Sequence, residues 1–348
     1  MKLSSFVNRV LKSVSQGQSL DADTAEQFMN QLMAGEISPI QTAGLLAAMT
    51  VRGETVEEIA GFARAMRKFA VPFEVPFEVV DTCGTGGDGA NTFNISTASA
   101  IVCAAAGVAI AKHGNRAVSS KSGSADVLMA LGARVDLDEH EAKQCLLDTN
   151  LCFLFAPTFH PAMKHAAEPR KQLGFRTIFN ILGPLTNPAR ANRQVLGVFR
   201  EDLVETVAHA LGELGSRHAL VVHGAGGIDE LSLAGETVVA EVKDGAVHKY
   251  MVTPEQFGLQ RADVASIAGG DAAENAAIIR LVLAGEKGPH RNVVLLNAGA
   301  ALYVGGSVGS IEEGVQMAAE TIDSGRAERT LQRFTAATHQ FGRSEVAQ

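Results

Sequence analysis

From residue 78 onward the chain alternates short apolar runs with helical stretches, and this alternation narrows its possible folds more than any other feature. Runs at 78–81, 108–111, 133–137, 151–155, 195–198 and 219–222 are dominated by Val, Ala, Leu, Ile and Phe. Helical stretches at about 97–106, 125–131, 138–148 and 203–214 separate them. Strands joined through helices pair in parallel, and strands buried on both faces read as continuous apolar runs. The pattern therefore predicts an α/β domain with a mostly parallel central sheet flanked by helices. Further on, 237–243 and 246–252 flank Asp244-Gly245, a strong hairpin signal. Stretches 274–284, 292–304 and 310–324 read as helices, the last opened by a capping box at Ser310 and Glu313.

The residues before this pattern differ. Phe6, Val10, Leu11 and Val14 recur at helical spacing, as do Phe28, Leu32 and Met33. Ser38-Pro39 is a cap followed by proline at the first helical position, and Thr55 with Glu58 makes a capping box. Four short amphipathic helices bury themselves poorly alone, so they are expected to pack on another segment or on a second subunit. The prolines of Val71-Pro72-Phe73-Glu74-Val75-Pro76 mark a linker. The division expected is a small all-helical domain at 1–72, completed by about 164–190, and an α/β domain at 73–163 and 191–348.

Composition excludes several classes. At 348 residues and 46% apolar the chain is a folded protein with a sizeable core. A net charge of −8 argues against a general nucleic-acid or membrane-surface binder. No apolar run approaches the length of a bilayer span, and Met1-Lys2-Leu3-Ser4-Ser5 opens no signal peptide. Cys83, Cys103, Cys145 and Cys152 form no CxxC pair and read as buried thiols of a reducing cytosol. The histidines lack the spacing of a structural zinc site.

Within this frame, two loops carry chemistry. Val79-Val80-Asp81-Thr82-Cys83 runs into Gly84-Thr85-Gly86-Gly87-Asp88-Gly89, and then Asn94-Ile95-Ser96-Thr97 sits where a helix should begin. Glycines allow close backbone approach and present bare N–H groups, and a helix N-terminus attracts anions. The segment matches neither a dinucleotide fingerprint nor a P-loop, and alone it is also readable as a structural glycine turn. One helix and one strand later, Lys112-His113-Gly114-Asn115-Arg116 and Ser119-Ser120-Lys121-Ser122-Gly123-Ser124 form a second, cationic loop. Two anion-receptive loops after neighbouring strands suggest a ligand with two separated phosphate groups.

A third loop is acidic. His223-Gly224-Ala225-Gly226-Gly227-Ile228-Asp229-Glu230 follows an apolar run, and parallel sheets bind ligands beyond their strand ends. Magnesium takes one or two carboxylates together with waters and phosphate oxygens, which Asp229 and Glu230 could supply; an ordinary acid pair at a helix start is the plainer alternative. Lys164, His165, Arg170, Lys171 and Arg176 lie in the interruption from His160 to Pro188, readable as a cleft wall or as a solvated helix face.

Read together, Asp81-Thr82-Cys83-Gly84-Thr85-Gly86-Gly87-Asp88, Asn94-Ile95-Ser96-Thr97, Lys112-His113-Gly114-Asn115-Arg116, Ser122-Gly123-Ser124-Ala125-Asp126-Val127-Leu128, the crossover from Phe175 to Pro188, and Gly227-Ile228-Asp229-Glu230 closely resemble the anthranilate phosphoribosyltransferase family. The resemblance covers nearly the whole chain. It implies a cytoplasmic homodimer, joined through the helical domain, that transfers 5-phosphoribosyl from 5-phospho-α-D-ribose 1-diphosphate to the anthranilate amine in tryptophan synthesis. It implies Mg2+, with Mn2+ as an in-vitro substitute, on Ser96, Asp229 and Glu230. The phosphoribosyl diphosphate site falls on Gly84, Gly87, Asp88, Thr92, Asn94, Ile95, Ser96, Thr97, Lys112, His113, Gly114, Asn115, Arg116, Ala117, Val118, Ser119, Ser120 and Ser124. Anthranilate falls on Gly84, Asn115 and Arg170. No side-chain acid or base is implied, and neither nucleic acid nor membrane is a partner. Two positions depart from the family pattern: Met129, where Glu is common, and Glu168-Pro169, where residues are usually apolar or small.

Two other readings compete. A pyrimidine nucleoside phosphorylase of similar fold would use inorganic phosphate and need no Asp229-Glu230 metal pair. A nucleic-acid-binding relative would show a basic groove and degraded anthranilate positions.

Overall fold

The strands are β1 (Val80–Gly84), β2 (Ile110–Gly114), β3 (Leu151–Phe155), β4 (Arg193–Gly197), β5 (His218–Gly224), β6 (Thr237–Lys243) and β7 (Ala246–Val252). In the computed structural model, which describes residues 2–117 and 121–341, they form one sheet in the order β3-β2-β1-β4-β5-β6-β7. The first five strands are parallel, and β6 and β7 add an antiparallel hairpin at one edge. Side chains alternate across the sheet as the pleat requires. Val195, Leu220 and Val222 enter one core, while Leu196, Ala219 and Val221 enter the opposite one.

The first face is covered by α5 (Ile95–Ala105), α13 (Pro289–Val304) and their neighbours α6 (Ser124–Leu131), α12 (Ala272–Leu283), α14 (Ile311–Asp323) and α15 (Arg326–Thr338). The second face carries α11 (Leu203–Glu213) and the helical unit: α1 (Lys2–Ser15), α2 (Ala22–Met33), α3 (Pro39–Arg52) and α4 (Val56–Phe69). The predicted caps form. Ser38 and Thr55 each complete a capping box, and Ser310 accepts the Glu313 N–H at 3.1 Å. Near β3 lie α7 (Glu139–Thr149) and the short α8 (Ala156–Phe159).

The interruption after β3 holds α9 (Lys164–Leu173) and α10 (Phe179–Leu185). α9 packs on α3 and α2, and α10 packs on α4, so this excursion joins the N-terminal helices. Pro169 lies inside α9 and is buried without ending the helix. The linker after α4 is pinned where the Val71 N–H donates to the Phe159 carbonyl at 2.8 Å and the Phe73 ring meets that of Phe159.

Three sequence expectations need correction. Residues 133–137 are not a strand: Ala133, Val135 and Leu137 are buried, but the segment pairs with no described strand. Its Arg134 N–H donates to Thr338 Oγ1 of α15, so extended chain lies against helices and its alternation mimics a strand. α15 itself was not anticipated, and α13 begins at Pro289 rather than 292 because proline suits the first helical turn.

Candidate active site

β1 lies between β2 and β4, so the chain leaves β1 toward one side and returns on the other. A crevice opens beyond the carboxyl ends of the strands at such a reversal. Here those ends are Gly84 and Gly197. Asp229 lies across both. A Cβ on Gly84 would fall 2.2 Å from Asp229 Oδ2, and one on Gly197 would fall 1.6 Å from the Asp229 carbonyl oxygen. Next in the glycine loop, Gly86 and Gly87 take φ of +68° and +73°, which turns the loop back over the acid. The Gly86 N–H donates to Asp229 Oδ2 at 2.7 Å, and the Asp229 N–H donates to Asp88 Oδ2 at 3.3 Å.

Glu230 accepts the Ser96 N–H at 3.2 Å, in the first turn of α5. Lys112 reaches in from β2, donating to the Thr82 carbonyl and, at 3.2 Å, to Ser96 Oγ. Three carboxylates and one buried ammonium thus converge where the two loops meet. Burial, then the charge of Asp88, raises the Asp229 carboxyl; burial, then Asp229, raises that of Glu230, with Lys112 opposing. Neither carboxylate forms an ion pair with a described residue. Among the described residues no group of three His, Cys, Asp or Glu is set to hold a metal unaided. Two buried carboxylates, both raised and neither in an ion pair with a described residue, do suit a hard divalent cation that takes its remaining oxygens from elsewhere.

The second loop is tied to this centre. Asn94 caps α5 in sequence, but its side chain looks outward: Nδ2 donates to the Ser122 carbonyl at 3.2 Å and Oδ1 accepts from Asn275 at 2.9 Å. Asp126 gathers the Ala117 and Gly123 N–H groups at 2.8 and 2.9 Å. The Asn115 carbonyl accepts the Ala125 N–H at 3.1 Å and Ser124 Oγ at 3.3 Å. Gly114 closes β2 beside them, Ile95 is buried, and Thr97 Oγ1 is buried with no partner. Thr92 stands at the mouth, bridged to Ala268. Arg116 lies over Phe155, with Nη2 3.9 Å from Met129 Sδ. Val118, Ser119 and Ser120 lie outside the described residues.

Arg170 stands apart from this cluster, on α9. It is half-buried over the Phe179 ring at 5.1 Å, makes no ion pair with a described residue, and burial lowers its affinity for a proton. His113 points its ring at His160 with centroids 5.0 Å apart. Both Nε2 atoms are buried without partners, and burial first, aided for His113 by the neighbouring ring, pulls the two imidazoles down to about 3 and about 4.

Sequence reading assigned no role to His160 or Asn187, and left Arg176 as either cleft wall or solvated helix face. Asn187 Nδ2 donates to Asp81 and to the Ala111 carbonyl, both at 2.8 Å, fixing the crossover to β1 and β2. Arg176 stacks on Phe199 at 4.5 Å, and a Cβ on Gly87 would fall 2.9 Å from its Nε, so its guanidinium lies on the glycine loop. The basic, Asn- and Pro-rich crossover was the available signal; what it lacked was the distance across the cleft.

Known proteins share this arrangement. Residues 77–328 match the family model for the glycosyl transferase family a/b domain, and residues 8–70 match that for its helical bundle domain. An anthranilate phosphoribosyltransferase of Brevibacillus brevis is 55% identical, covering 92% of this chain and 95% of its own. The crystal structure of anthranilate phosphoribosyltransferase from Thermus thermophilus superposes with a TM-score of 0.90 at 48% identity, over 94% of this chain and 99% of that one. The enzyme from Saccharomyces cerevisiae in complex with PRPP and Mg gives 0.86 at 30% identity, over 98% of both chains. With half its residues shared across nearly full length, and with both domains matched in order, the chain belongs to the anthranilate phosphoribosyltransferase family.

Proposed function

We propose that this chain transfers the 5-phosphoribosyl group of 5-phospho-α-D-ribose 1-diphosphate to the amine of anthranilate, releasing diphosphate, as a step of tryptophan synthesis. The observation that carries this reading is the buried Asp229-Glu230 pair held beneath the glycine loop by the Gly86 and Ser96 N–H groups. The phosphoribosyl diphosphate site we assign comprises Gly84, Gly87, Asp88, Thr92 and Asn94 to Thr97 of the first loop, with Lys112 to Ser120 and Ser124 of the second. Bound Mg2+, which the complexed yeast relative supports, would be held by Asp229, Glu230 and Ser96 and would stabilise charge on the departing diphosphate.

The chain's own groups do the rest. Loop N–H groups other than those of Gly86 and Ser96, which donate to the acids, together with the start of α5 would supply preorganised dipoles to the phosphates as negative charge develops. Lys112 is already anchored at Thr82 and Ser96, so its charge needs no reorganisation. An aromatic amine is neutral near pH 7, so the nucleophile needs positioning rather than a base. Arg170, unpaired and partly desolvated, suits bidentate capture of the anthranilate carboxylate. The buried imidazoles of His113 and His160 stay neutral, which keeps further positive charge out of the cleft.

The helical unit, 1–72 with about 164–190, serves as a separate domain and as the surface of a cytoplasmic homodimer. Ile40, Gly44, Ala47 and Val51 fall on one side of α3, with Ile40 84% and Val51 90% exposed, a stripe small enough for close helix contact. Among the described residues no helix is long and apolar enough to cross a membrane. The test mixes purified protein with magnesium, donor and anthranilate and follows loss of anthranilate fluorescence. Unchanged fluorescence, with phosphorolysis of thymidine or uridine, would transfer the reading to the nucleoside phosphorylases.

A further inference from the structure

On the edge of the sheet opposite the reaction cleft, at the amino ends of β1, β4 and β5, two cavities of about 590 and 330 Å³ adjoin. Arg67, Lys68, Arg190, Ala191 and Asn192 line both. The larger runs under the linker from Ala70 to Val79; the smaller adds Arg64 and the turn from Glu213 to Ser216. The groove therefore lies beneath two of the connections between the helical unit and the sheet.

Its charge is lopsided. Arg64 and Lys68 share Glu26, and Glu78 is held by Arg193 and Arg217. Arg67 and Arg190 make no ion pair with any described residue, and the carboxylates left on the lining are Glu213 and Glu74. Arg67 is fixed in place: Nε donates to the Leu185 carbonyl at 2.8 Å and Nη1 to that of Leu214 at 3.3 Å. Nη2 makes no hydrogen bond with a described residue, and Arg67 lines both cavities. Arg190 takes a left-handed φ of +49°, an unfavourable conformation for a residue with a Cβ, in a turn closed by its N–H on the Asn187 carbonyl at 2.9 Å. Burial, and then the proximity of Arg190, pushes the Arg67 guanidinium down to about 10. An anchored Arg67 and an exposed Arg190 thus share the lining of both cavities, with Glu74 and Glu213 as the carboxylates not already engaged by other arginines.

We propose that this groove is a second anion site, in which Arg67 and Arg190 clamp a phosphate group, free or carried on a small metabolite, and tie the end of α4 to the crossover and to the end of α11. Arg190 has its whole guanidinium fork available to pair with phosphate oxygens, Arg67 adds charge-assisted donation from Nη2, and the smaller cavity has room for a phosphomonoester. The site is separate from the reaction cleft and does not depend on the reaction proposed for it.

The test uses the full chain and its Arg190→Gly variant, since glycine adopts the required φ without strain and Arg190 has no place in the reaction cleft. Inorganic phosphate and glycerol 3-phosphate are titrated in separate calorimetric runs without the phosphoribosyl donor, whose own phosphates would compete for the groove; the comparison with the variant separates groove from cleft. At least one ligand should bind wild type, and the variant should bind it about tenfold more weakly. Stronger binding of phosphate identifies a free ion as the occupant, and stronger binding of glycerol 3-phosphate a phosphomonoester. The variant's turnover in phosphate-free buffer should match wild type. Isotherms that superpose for wild type and variant, or no heat with either ligand, would overturn the proposal.

Discussion

The Asp229 carboxylate accepts the Gly86 N–H at 2.7 Å across 143 residues of chain, and it can do so only because Gly84 and Gly197 beneath it have no side chains. A Cβ at position 197 would fall 1.6 Å from the Asp229 carbonyl oxygen, a backbone atom that cannot swing aside. Gly197→Ala should therefore lift the acidic loop off the strand ends. The expected cost is about 1–3 kcal/mol of stability from overpacking, with kcat/KM lower by about 100-fold as the acids lose register. Thermal melting and steady-state kinetics check it; near-normal values in both would show that the loop can shift without consequence.

Burial raises both acids, with Asp88 adding to Asp229 and Asp229 adding to Glu230, so their charges oppose folding when no cation is present. The pair Asp229→Asn and Glu230→Gln should leave the metal-free protein at least as stable as wild type while turnover with magnesium falls about 100-fold or more. Chelation should abolish wild-type activity and leave the variant's residual rate unchanged. A variant that keeps its magnesium response would refute the metal role, and one that melts early would show that the two charges do not oppose folding.

The sheet was legible because buried parallel strands are uninterrupted apolar runs: 151–155 coincides with β3, and the Asp244-Gly245 turn placed β6 and β7. The strand 133–137 was misread because Ala133, Val135 and Leu137 alternate inward while lying against helices, a distinction of partner rather than of pattern. The charged stretch of α15 hid the helical spacing of Leu331, Phe334 and Thr338. In the cleft, the loop motifs were visible because each is contiguous. The Asn187–Asp81 bond joins residues 106 apart, and the His113–His160 contact and the seat of Arg176 on Gly87 likewise exist only after the crossover folds back.

Arg170 sits over Phe179 with no acidic partner among the described residues, so its charge is available to a ligand. Arg170→Ala should raise the KM for anthranilate about 10- to 100-fold, the worth of a charge-assisted pair, and alter the KM for the phosphoribosyl donor less than about twofold. Equal effects on both substrates would remove Arg170 from the acceptor site. α9 runs on unbroken through Pro169, immediately before Arg170, so the departure from the family pattern there should not mimic this loss.

The His113–His160 pair makes a prediction about acid. Both imidazoles are depressed from an ordinary 6.5, to about 3 and about 4, by burial and, for His113, by the adjacent ring. Below pH 6.5 the unfolded chain takes up protons that the folded chain refuses, so the stability they contribute is present above 6.5 and is lost as pH falls toward the folded values. Each contributes a slope of up to about 1.4 kcal/mol per pH unit in that window. Asp81, raised by burial to about 6, acts with the opposite sign between its unfolded value near 3.8 and about 6, which offsets one imidazole there. Asp229 and Glu230, also raised by burial, act in the same sense as Asp81, so the imidazole contribution is read as the difference between wild type and the histidine variant rather than as the whole pH slope. Denaturant unfolding of wild type and of His113→Gln with His160→Gln, measured from about pH 7.5 to about 5, should show a steeper loss of stability in wild type. Parallel curves would mean that the two rings titrate alike in the folded and unfolded chains.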